Sequence, residues 1–192
     1  MSSEVPDLAA AKRTLIGELR EHSLVIGEVT LASGVVAQYY VDARRALLRP
    51  PGFRAAGELI AAAAVEAGAS AVGGPATAAI APSCAALAAP AGQGLVAFFV
   101  RGGRKQHGLQ RWVEGPVEAG DRVLVVEDTV TTGGSTVKAI ERIREQGLEL
   151  VAAIAVVDRL AGGGEAIEAA AAAPYRALVT IDELYPDRPD RG

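Results

Sequence analysis

A chain of 192 residues suits one domain with a full core and leaves no room for a second catalytic domain. Half of its residues are hydrophobic and 4% are aromatic, which is typical of a compact α/β enzyme whose core is built from small aliphatic side chains. The net charge of −4 argues against a general nucleic-acid binder, and the single cysteine, Cys84, excludes an internal disulfide and a cysteine-based zinc site.

The N-terminal segment carries Glu4 and Asp7 and lacks the basic-then-apolar order of a signal peptide. Further along, every apolar stretch is broken by glycine, proline or a charge well short of a membrane span. We therefore expect a cytoplasmic protein that has no membrane partner.

Hydrophobic periodicity predicts helices and strands that alternate along the chain. In order, these are a helix over residues 8–21, a hairpin or hood over 25–41, a helix over 53–67, a strand over 71–72, a helix over 83–89, strands over 95–100 and 123–126, a helix over 136–145, a strand over 150–157, a helix over 165–172 and a strand over 177–180.

Strands that are apolar throughout and alternate with helices indicate an α/β fold with a central, mainly parallel sheet flanked by helices. We expect a single domain over residues 1–192, with a small N-terminal hood over about 1–45 and a core over about 50–184. In such sheets, ligands bind beyond the carboxyl ends of the strands.

One buried strand ends in two acids, Glu127 and Asp128, and a loop rich in hydroxyls and glycine leads from them into a helix. The loop and the start of the helix comprise Thr129, Val130, Thr131, Thr132, Gly133, Gly134 and Ser135. Unpaired N–H groups at a helix start stabilise an anion such as phosphate. Two carboxylates beside that site would repel a lone phosphate, so the segment predicts a ligand that also offers hydroxyls or magnesium, such as a ribose 5-phosphate.

Two other interpretations explain this segment less well. A strand followed by a helix capped by Ser135 or Thr131 accounts for neither acid. A Walker-type nucleotide loop is excluded because no Gly-Lys-Ser/Thr follows the glycines.

A second segment is basic within an otherwise acidic chain, and glycines lie between its cations. The cations are Arg101, Arg104, Lys105, His107 and Arg111, and the glycines are Gly102, Gly103 and Gly108. Such a segment predicts either a mobile lid that closes over pyrophosphate and excludes water, or a solvated surface loop.

The acidic pair and its loop resemble the signature of the type I phosphoribosyltransferases, which is an apolar strand, two acids and a Thr/Gly-rich loop. The resemblance implies that the residues from Thr129 to Ser135 bind the 5-phosphate of phosphoribosyl pyrophosphate (PRPP). It also implies that Glu127 and Asp128 hold the ribose hydroxyls.

Three further segments resemble the orotate phosphoribosyltransferases. Val-Arg-Gly-Gly-Arg-Lys-Gln-His-Gly from residue 100 is similar to the catalytic loop of that family, with Arg101, Lys105, His107 and Gly108 matching. Thr-Leu-Ala-Ser-Gly from residue 30 followed by Tyr-Tyr-Val-Asp from residue 39 resembles the hood on the orotate side, and Val-Asp-Arg from residue 157 resembles a strand end whose Arg binds the orotate carboxylate. The similarity covers residues 25–184.

This second resemblance implies roles for individual residues. Orotate would contact Thr131 and Arg159 and lie near Tyr39 and Tyr40. The catalytic residues would be Lys105, His107, Asp128 and Arg101, of which Arg101, Lys105 and His107 would also bind PRPP.

The same resemblance implies the partners of the protein. Mg²⁺ would be bound mainly through PRPP rather than by a protein metal site. The enzyme would be a homodimer whose lid reaches the neighbouring active site, and it would bind no nucleic acid.

The chain departs from the family pattern at Gly102, where a Lys is usual, and at Ala78 and Ala79, where the pyrophosphate loop commonly has glycine. A Cβ at Ala79 is expected to obstruct a backbone position that needs a positive φ. The departures leave two rivals to an orotate enzyme, namely a phosphoribosyltransferase for another base and a non-catalytic regulator that senses PRPP and binds RNA or DNA.

Overall fold

The computed structural model describes residues 7–30, 36–103 and 112–191. Its helices and strands are, in chain order, α1 (Leu8–His22), β1 (Leu24–Thr30), β2 (Val36–Val41), α2 (Arg44–Leu47), α3 (Pro50–Ala67), β3 (Ala71–Pro75), α4 (Ile80–Ala88), β4 (Val96–Val100), β5 (Val113–Glu114), β6 (Arg122–Val130), α5 (Gly134–Glu145), β7 (Glu149–Asp158), α6 (Gly163–Ala171), β8 (Tyr175–Thr180) and α7 (Ile181–Leu184).

The central sheet has six strands in the order β5-β4-β3-β6-β7-β8. All neighbouring pairs are parallel except β4 and the short β5, which are antiparallel. The predicted mainly parallel sheet is therefore confirmed. The chain leaves β3 on one side to form β4 and returns on its other side to form β6, so the strand order reverses between β3 and β6, where open α/β sheets bind ligands.

Side chains of β6 alternate between two apolar clusters, one on each face of the sheet. Leu124 and Val126 belong to the cluster that contains residues of α1 and α3. Val123 and Val125 belong to the cluster that contains residues of α5 and α6. Because successive residues of a strand point to opposite faces, this alternation decides which way the two acids that follow can point.

The hood strands β1 and β2 pair only with each other, as an antiparallel sheet whose register shifts between Ile26 and Val29. The chain after β2 is tied to the end of α1 through Ser23, whose carbonyl accepts from the Asp42 N–H at 3.0 Å and whose hydroxyl accepts from the Ala46 N–H at 3.2 Å. These bonds hold the exit of β2 in place beside the sheet.

Several element bounds differ from those predicted. Helix α3 begins at Pro50 rather than at residue 53, because proline is tolerated in the first helical turn, where its missing N–H has no partner to lose. Strand β6 continues through the acidic pair to Val130 rather than ending at residue 126, since its polar end still pairs with β7. The short elements α2, β5 and α7 were not predicted.

The domain boundaries predicted from the sequence stay a prediction. Within the described part of the chain, no helix combines the length and the apolar character needed to span a membrane.

Candidate active site

A cavity of about 330 Å³ lies between the end of the hood and the carboxyl ends of the central strands. It is lined by Tyr40, Val41, Asp42, Ala43, Arg44, Thr77, Ala78, Asp128, Thr129, Thr131 and Arg159. Five of the residues predicted from the sequence, Tyr40, Asp128, Thr129, Thr131 and Arg159, thus come together from three separate parts of the chain.

The two adjacent acids point in different directions. Asp128 lines the cavity. Glu127 is only 4% exposed and does not line it, because its carboxylate accepts hydrogen bonds from Ser135 Oγ at 3.1 Å and Thr136 Oγ1 at 2.5 Å, at the start of α5. The alternation along β6 explains the difference, and the predicted contact of Glu127 with a ribose stays a prediction.

Burial changes the acidity of both carboxyl groups. It raises the pKa of Glu127 from 4.5 to about 7; the Thr136 and Ser135 hydroxyls oppose this rise, and the neighbouring charge of Asp128 adds to it. Burial also raises the pKa of Asp128 above its ordinary value, although the Thr129 backbone and the charge of Arg44 oppose the rise.

We expect the raised pKa of Glu127 to make stability depend on pH. Its native pKa lies above the unfolded value, so between about pH 4.5 and pH 7 the native state keeps a proton that the unfolded chain has lost, and stability falls as pH rises. Glu127→Gln cannot ionise, so the wild-type unfolding free energy should drop by up to about 3 kcal/mol relative to that variant between about pH 5 and pH 8. Urea unfolding of both proteins across this pH range measures the difference in unfolding free energy. If the unfolding free energies of wild type and Glu127→Gln change in parallel with pH, the pKa of Glu127 is not raised.

The loop after β6 forms a tight turn into α5. Gly133 caps the helix with φ of 76°, a left-handed conformation that favours glycine, and a Cβ there would lie 2.7 Å from the Gly163 carbonyl oxygen. Thr131 lines the cavity, while the Val130 side chain is buried and its carbonyl accepts from the Arg159 N–H at 2.9 Å. The turn therefore holds the free N–H groups of a helix start beside Asp128, an arrangement that binds anions.

The two adjacent tyrosines of β2 also differ in position. Tyr40 lines the cavity, whereas Tyr39 is 3% exposed and lies behind it. The Arg159 guanidinium stacks on the Tyr39 ring, with its carbon 5.0 Å from the ring centroid. Tyr39, predicted to lie near orotate, therefore supports Arg159 from the side away from the cavity.

The Nε of Arg159 is buried and has no hydrogen-bond partner within the described residues. Buried donors are nearly always paired, because leaving one unpaired costs free energy. Arg159 also lines the cavity, so its guanidinium supplies a positive charge there that suits an anionic ligand, and a carboxylate in particular.

Asp158, which sequence reasoning left without a role, organises the turn after Arg159. One carboxylate oxygen accepts from the Leu160 N–H and the other from the Tyr175 hydroxyl, both at 2.7 Å. Leu160 has a φ of 55°, so the first of these bonds holds a backbone conformation that a leucine rarely adopts. The signal in the sequence was a charged residue at the end of an apolar strand.

Asp42 and Arg44 were also missed as cavity residues. Arg44 donates from Nε to Asp42 Oδ1 at 2.8 Å and from Nη2 to Oδ2 at 3.2 Å, a bidentate pair that raises the pKa of Arg44. Asp42 belongs to the hood motif, so its position directly after strand β2 was visible in the sequence. Arg44 carried no such signal, because it follows the motif in a short helix.

The expected obstruction at Ala79 is wrong. Ala79 has φ of −75°, in the helical region, and neither it nor Ala78 is among the described residues with positive φ. The loop after β3 accepts alanine because its backbone, which includes a cis peptide bond between Ala76 and Thr77, places no positive-φ residue there. Thr77 and Ala78 line the cavity.

The predicted lid is only partly described. Lys105 and His107, together with Arg104, Gly108 and Arg111, lie outside the described residues. Arg101 does not line the 330 Å³ cavity; it lies 3.6 Å from Glu114 Oε1, at the mouth of a neighbouring cavity of about 610 Å³ that Ser135 also lines.

No group of three or more His, Cys, Asp and Glu side chains able to hold a metal ion occurs in the described ranges. The two carboxylates in the cavity, Asp42 and Asp128, are hard oxygen donors of the kind that Mg²⁺ accepts. The donor set therefore fits a cation that takes most of its ligands from a bound molecule.

Comparison with known proteins gives consistent matches. Residues 64–170 match the family model described as "Phosphoribosyl transferase domain". An orotate phosphoribosyltransferase of Streptomyces avermitilis is 45% identical over 172 residues, which cover 88% of this chain and 94% of that protein. Another from Corynebacterium glutamicum is 43% identical over 176 residues, covering 92% and 95%.

Solved structures show the same likeness. The Mycobacterium tuberculosis orotate phosphoribosyltransferase in complex with Fe(III) dicitrate aligns with a TM-score of 0.82 and 41% identity, covering 91% of this chain and 98% of that one. The same protein in complex with PRPP aligns with a TM-score of 0.77 and 36% identity over the same shares of the two chains.

Proposed function

Because the chain belongs to the orotate phosphoribosyltransferase family, we propose that it joins orotate to the phosphoribosyl group of PRPP. The products are orotidine 5-phosphate and pyrophosphate, in the synthesis of UMP. The observation that carries the proposal is that Asp128, the phosphate-loop residue Thr131 and Arg159 line the same cavity.

The geometry at the end of β6 supports PRPP binding. In the proposal the 5-phosphate lies against the helix start between Thr131 and Ser135, because the N–H groups of a helix start stabilise an anion. The ribose then lies over Asp128, whose carboxylate accepts from its 2- and 3-hydroxyls. The pyrophosphate extends toward Thr77 and Ala78, which line the same cavity.

Orotate binds on the hood side. Its carboxylate pairs with Arg159, and its ring lies beside Tyr40. As the C1–O bond to pyrophosphate breaks, positive charge develops on the ribose and is stabilised by Asp128. The orotate nitrogen then forms the new bond to C1 and its proton is lost, while Lys105 and His107 of the lid stabilise the departing pyrophosphate.

Mg²⁺ is part of the proposal. It would be bound mainly through the pyrophosphate and ribose oxygens of PRPP and would neutralise charge on the leaving group.

The quaternary arrangement follows the family expectation. We propose a homodimer in which the lid of one subunit completes the site of the other. Mixing inactive Lys105→Ala and Asp128→Ala proteins should restore partial activity, because one site of the mixed dimer has both residues intact. No recovery, under conditions in which subunits demonstrably exchange, counts against a shared site.

A base panel tests the proposed reaction. Release of pyrophosphate from PRPP with Mg²⁺ should depend on orotate and should be far weaker with uracil, hypoxanthine or adenine, which lack the carboxylate that Arg159 would pair. If another base releases pyrophosphate faster than orotate does, that base rather than orotate is the substrate. Binding of nucleic acid without any transferase activity would favour a regulator instead.

Gly102 offers a test of the lid. Among the described residues, none has an atom within 4 Å of a Cβ built on Gly102, so none of them obstructs a longer side chain there. If the lid acts on pyrophosphate, Gly102→Lys adds a cation and should raise kcat/KM for PRPP by about 3- to 30-fold. Gly94→Lys, at an equally open position before β4, is the control. If kcat/KM for PRPP changes equally in both variants, or does not change in Gly102→Lys, position 102 does not contribute to PRPP binding.

A further inference from the structure

The C-terminal segment packs directly behind the base side of the cavity. Asp190, 151 residues away in sequence, accepts a hydrogen bond from the Tyr39 hydroxyl at 3.0 Å through Oδ2. Its other oxygen, Oδ1, lies 3.0 Å from Arg188 Nε. Both oxygens of the Asp190 carboxylate are therefore engaged, and one of them fixes the hydroxyl end of Tyr39.

The Tyr39 ring is held at three places. Its hydroxyl is bound by Asp190, the Tyr185 ring meets it edge-on at 5.7 Å and 86°, and the Arg159 guanidinium lies on its face at 5.0 Å. At 3% exposure it has little room to move. A change at the hydroxyl end is therefore passed to the surface on which Arg159 rests.

We propose that Asp190 is a positioning residue for the base substrate, acting through Tyr39 to hold Arg159 in the orientation that pairs a carboxylate. The carboxylate part of this inference rests on the proposed function. The structural part, a hydrogen bond that orders a stacked guanidinium, does not.

The tail that carries Asp190 is itself anchored. The Arg188 side chain is 9% exposed and bridges Asp182 of α7 and Asp190. Helix α7 is tied to α1 by an ion pair between Lys12 and Glu183 at 2.8 Å. Asp190 thus has a fixed place from which to hold Tyr39, rather than a chance contact of a free chain end.

The arrangement lowers the cost of binding. An arginine side chain loses considerable rotamer freedom when it is ordered, and holding it in advance removes that cost from ligand binding. The guanidinium carbon lies 5.0 Å from the Tyr39 ring centroid, and within the described residues its Nε has no hydrogen-bond partner, so the Tyr39 ring is the contact that holds it. The effect of losing Asp190 should therefore appear in affinity for the carboxylate substrate rather than in the chemical step.

Steady-state kinetics tests the effect on substrate binding. Asp190→Ala should raise KM for orotate by about three- to tenfold, the size of an ordinary net hydrogen-bond contribution, with kcat and KM for PRPP changed less than about twofold. The Asp190 side chain is 57% exposed, so its removal leaves the core intact. Arg191→Ala is the matched control, because it alters the same tail without touching Tyr39.

A double-mutant cycle tests the route through Tyr39. Tyr39→Phe removes the hydroxyl and keeps the ring, so it should raise KM for orotate by the same factor as Asp190→Ala, and the double variant should be no worse than either one. Additive effects, an equal rise in KM for both substrates, or an equal effect of Arg191→Ala would overturn the proposal.

Nuclear magnetic resonance of the free protein tests the relay without any substrate. The Arg159 Nε–H signal should carry a ring-current shift from Tyr39, which shrinks in Asp190→Ala and persists in Arg191→Ala. An unchanged signal in Asp190→Ala refutes the relay even if the enzyme uses orotate. If the wild-type protein does not use orotate but the Arg159 Nε–H signal changes as expected in Asp190→Ala, the proposed substrate is wrong and the relay is still supported.

Discussion

Replacing Arg159 with alanine should raise KM for orotate by about 30- to 1,000-fold, equivalent to ~2–4 kcal/mol, while KM for PRPP stays near its wild-type value. The reason is that Arg159 lines the cavity and its guanidinium has no carboxylate partner among the described residues, so the charge is available to the carboxylate of the substrate. Arg159→Lys should recover only part of the loss, because an ammonium group cannot form the planar two-point contact.

Arg176→Ala is the control for this experiment. Arg176 lies on the adjacent strand β8, is half exposed, and pairs with Glu66 at 3.0 Å away from the cavity. Its loss should leave both KM values unchanged. If KM for orotate in Arg159→Ala stays within about threefold of wild type, the change is smaller than the loss of a charge-assisted hydrogen bond would cause. The base would then bind elsewhere.

Asp128→Asn should lower kcat by about 100- to 1,000-fold and weaken PRPP binding much less. The amide keeps the shape of the carboxylate and its ability to accept from one ribose hydroxyl, but it lacks the negative charge that stabilises the cationic sugar. Asp128 is the acid of the pair that reaches the cavity, so the loss is not compensated by Glu127, which is bound to Ser135 and Thr136.

Asp121→Asn makes the same chemical change just before the opposite end of β6, where the side chain accepts from the Glu118 N–H. This variant should keep wild-type kcat. If Asp128→Asn loses less than about tenfold in kcat, the carboxylate does not stabilise the transition state, and the mechanism at the end of β6 is wrong.

The sequence predicted the architecture well because each signal behind it is local. Apolar strands, glycine after helices and the acidic pair before a hydroxyl-rich turn follow from neighbours along the chain. The location of the site could also be predicted from the sequence, because parallel strands bring their carboxyl ends to one edge of the sheet. Asp128 on β6 and Arg159 directly after the neighbouring strand β7, 31 positions apart, meet there.

Two adjacent pairs show where local reasoning stops. Glu127 and Asp128 were predicted to act together, as were Tyr39 and Tyr40, yet in each pair one residue lines the cavity and the other is buried behind it. Strand alternation requires such a split. Which member faces the ligand depends on how the strand packs between its neighbours, and that is a property of the whole fold.

Long-range partners were beyond the sequence altogether. The bond between Tyr39 and Asp190 joins residues 151 positions apart, and nothing in either segment indicates the other. The backbone of the loop containing Ala79 was also misjudged, because the need for a positive φ was taken from the family pattern rather than from this chain.

The most direct test of this account is calorimetric titration of the folded protein with PRPP and Mg²⁺. The turn before α5 and the Asp128 carboxylate predict one site per chain with a Kd in about the micromolar to millimolar range typical of enzyme substrates, and markedly weaker binding when Gly133→Ala places a Cβ against the Gly163 carbonyl. Absence of binding heat from a wild-type protein shown to be folded would contradict the assignment of this cavity, and the orotate reaction would fall with it.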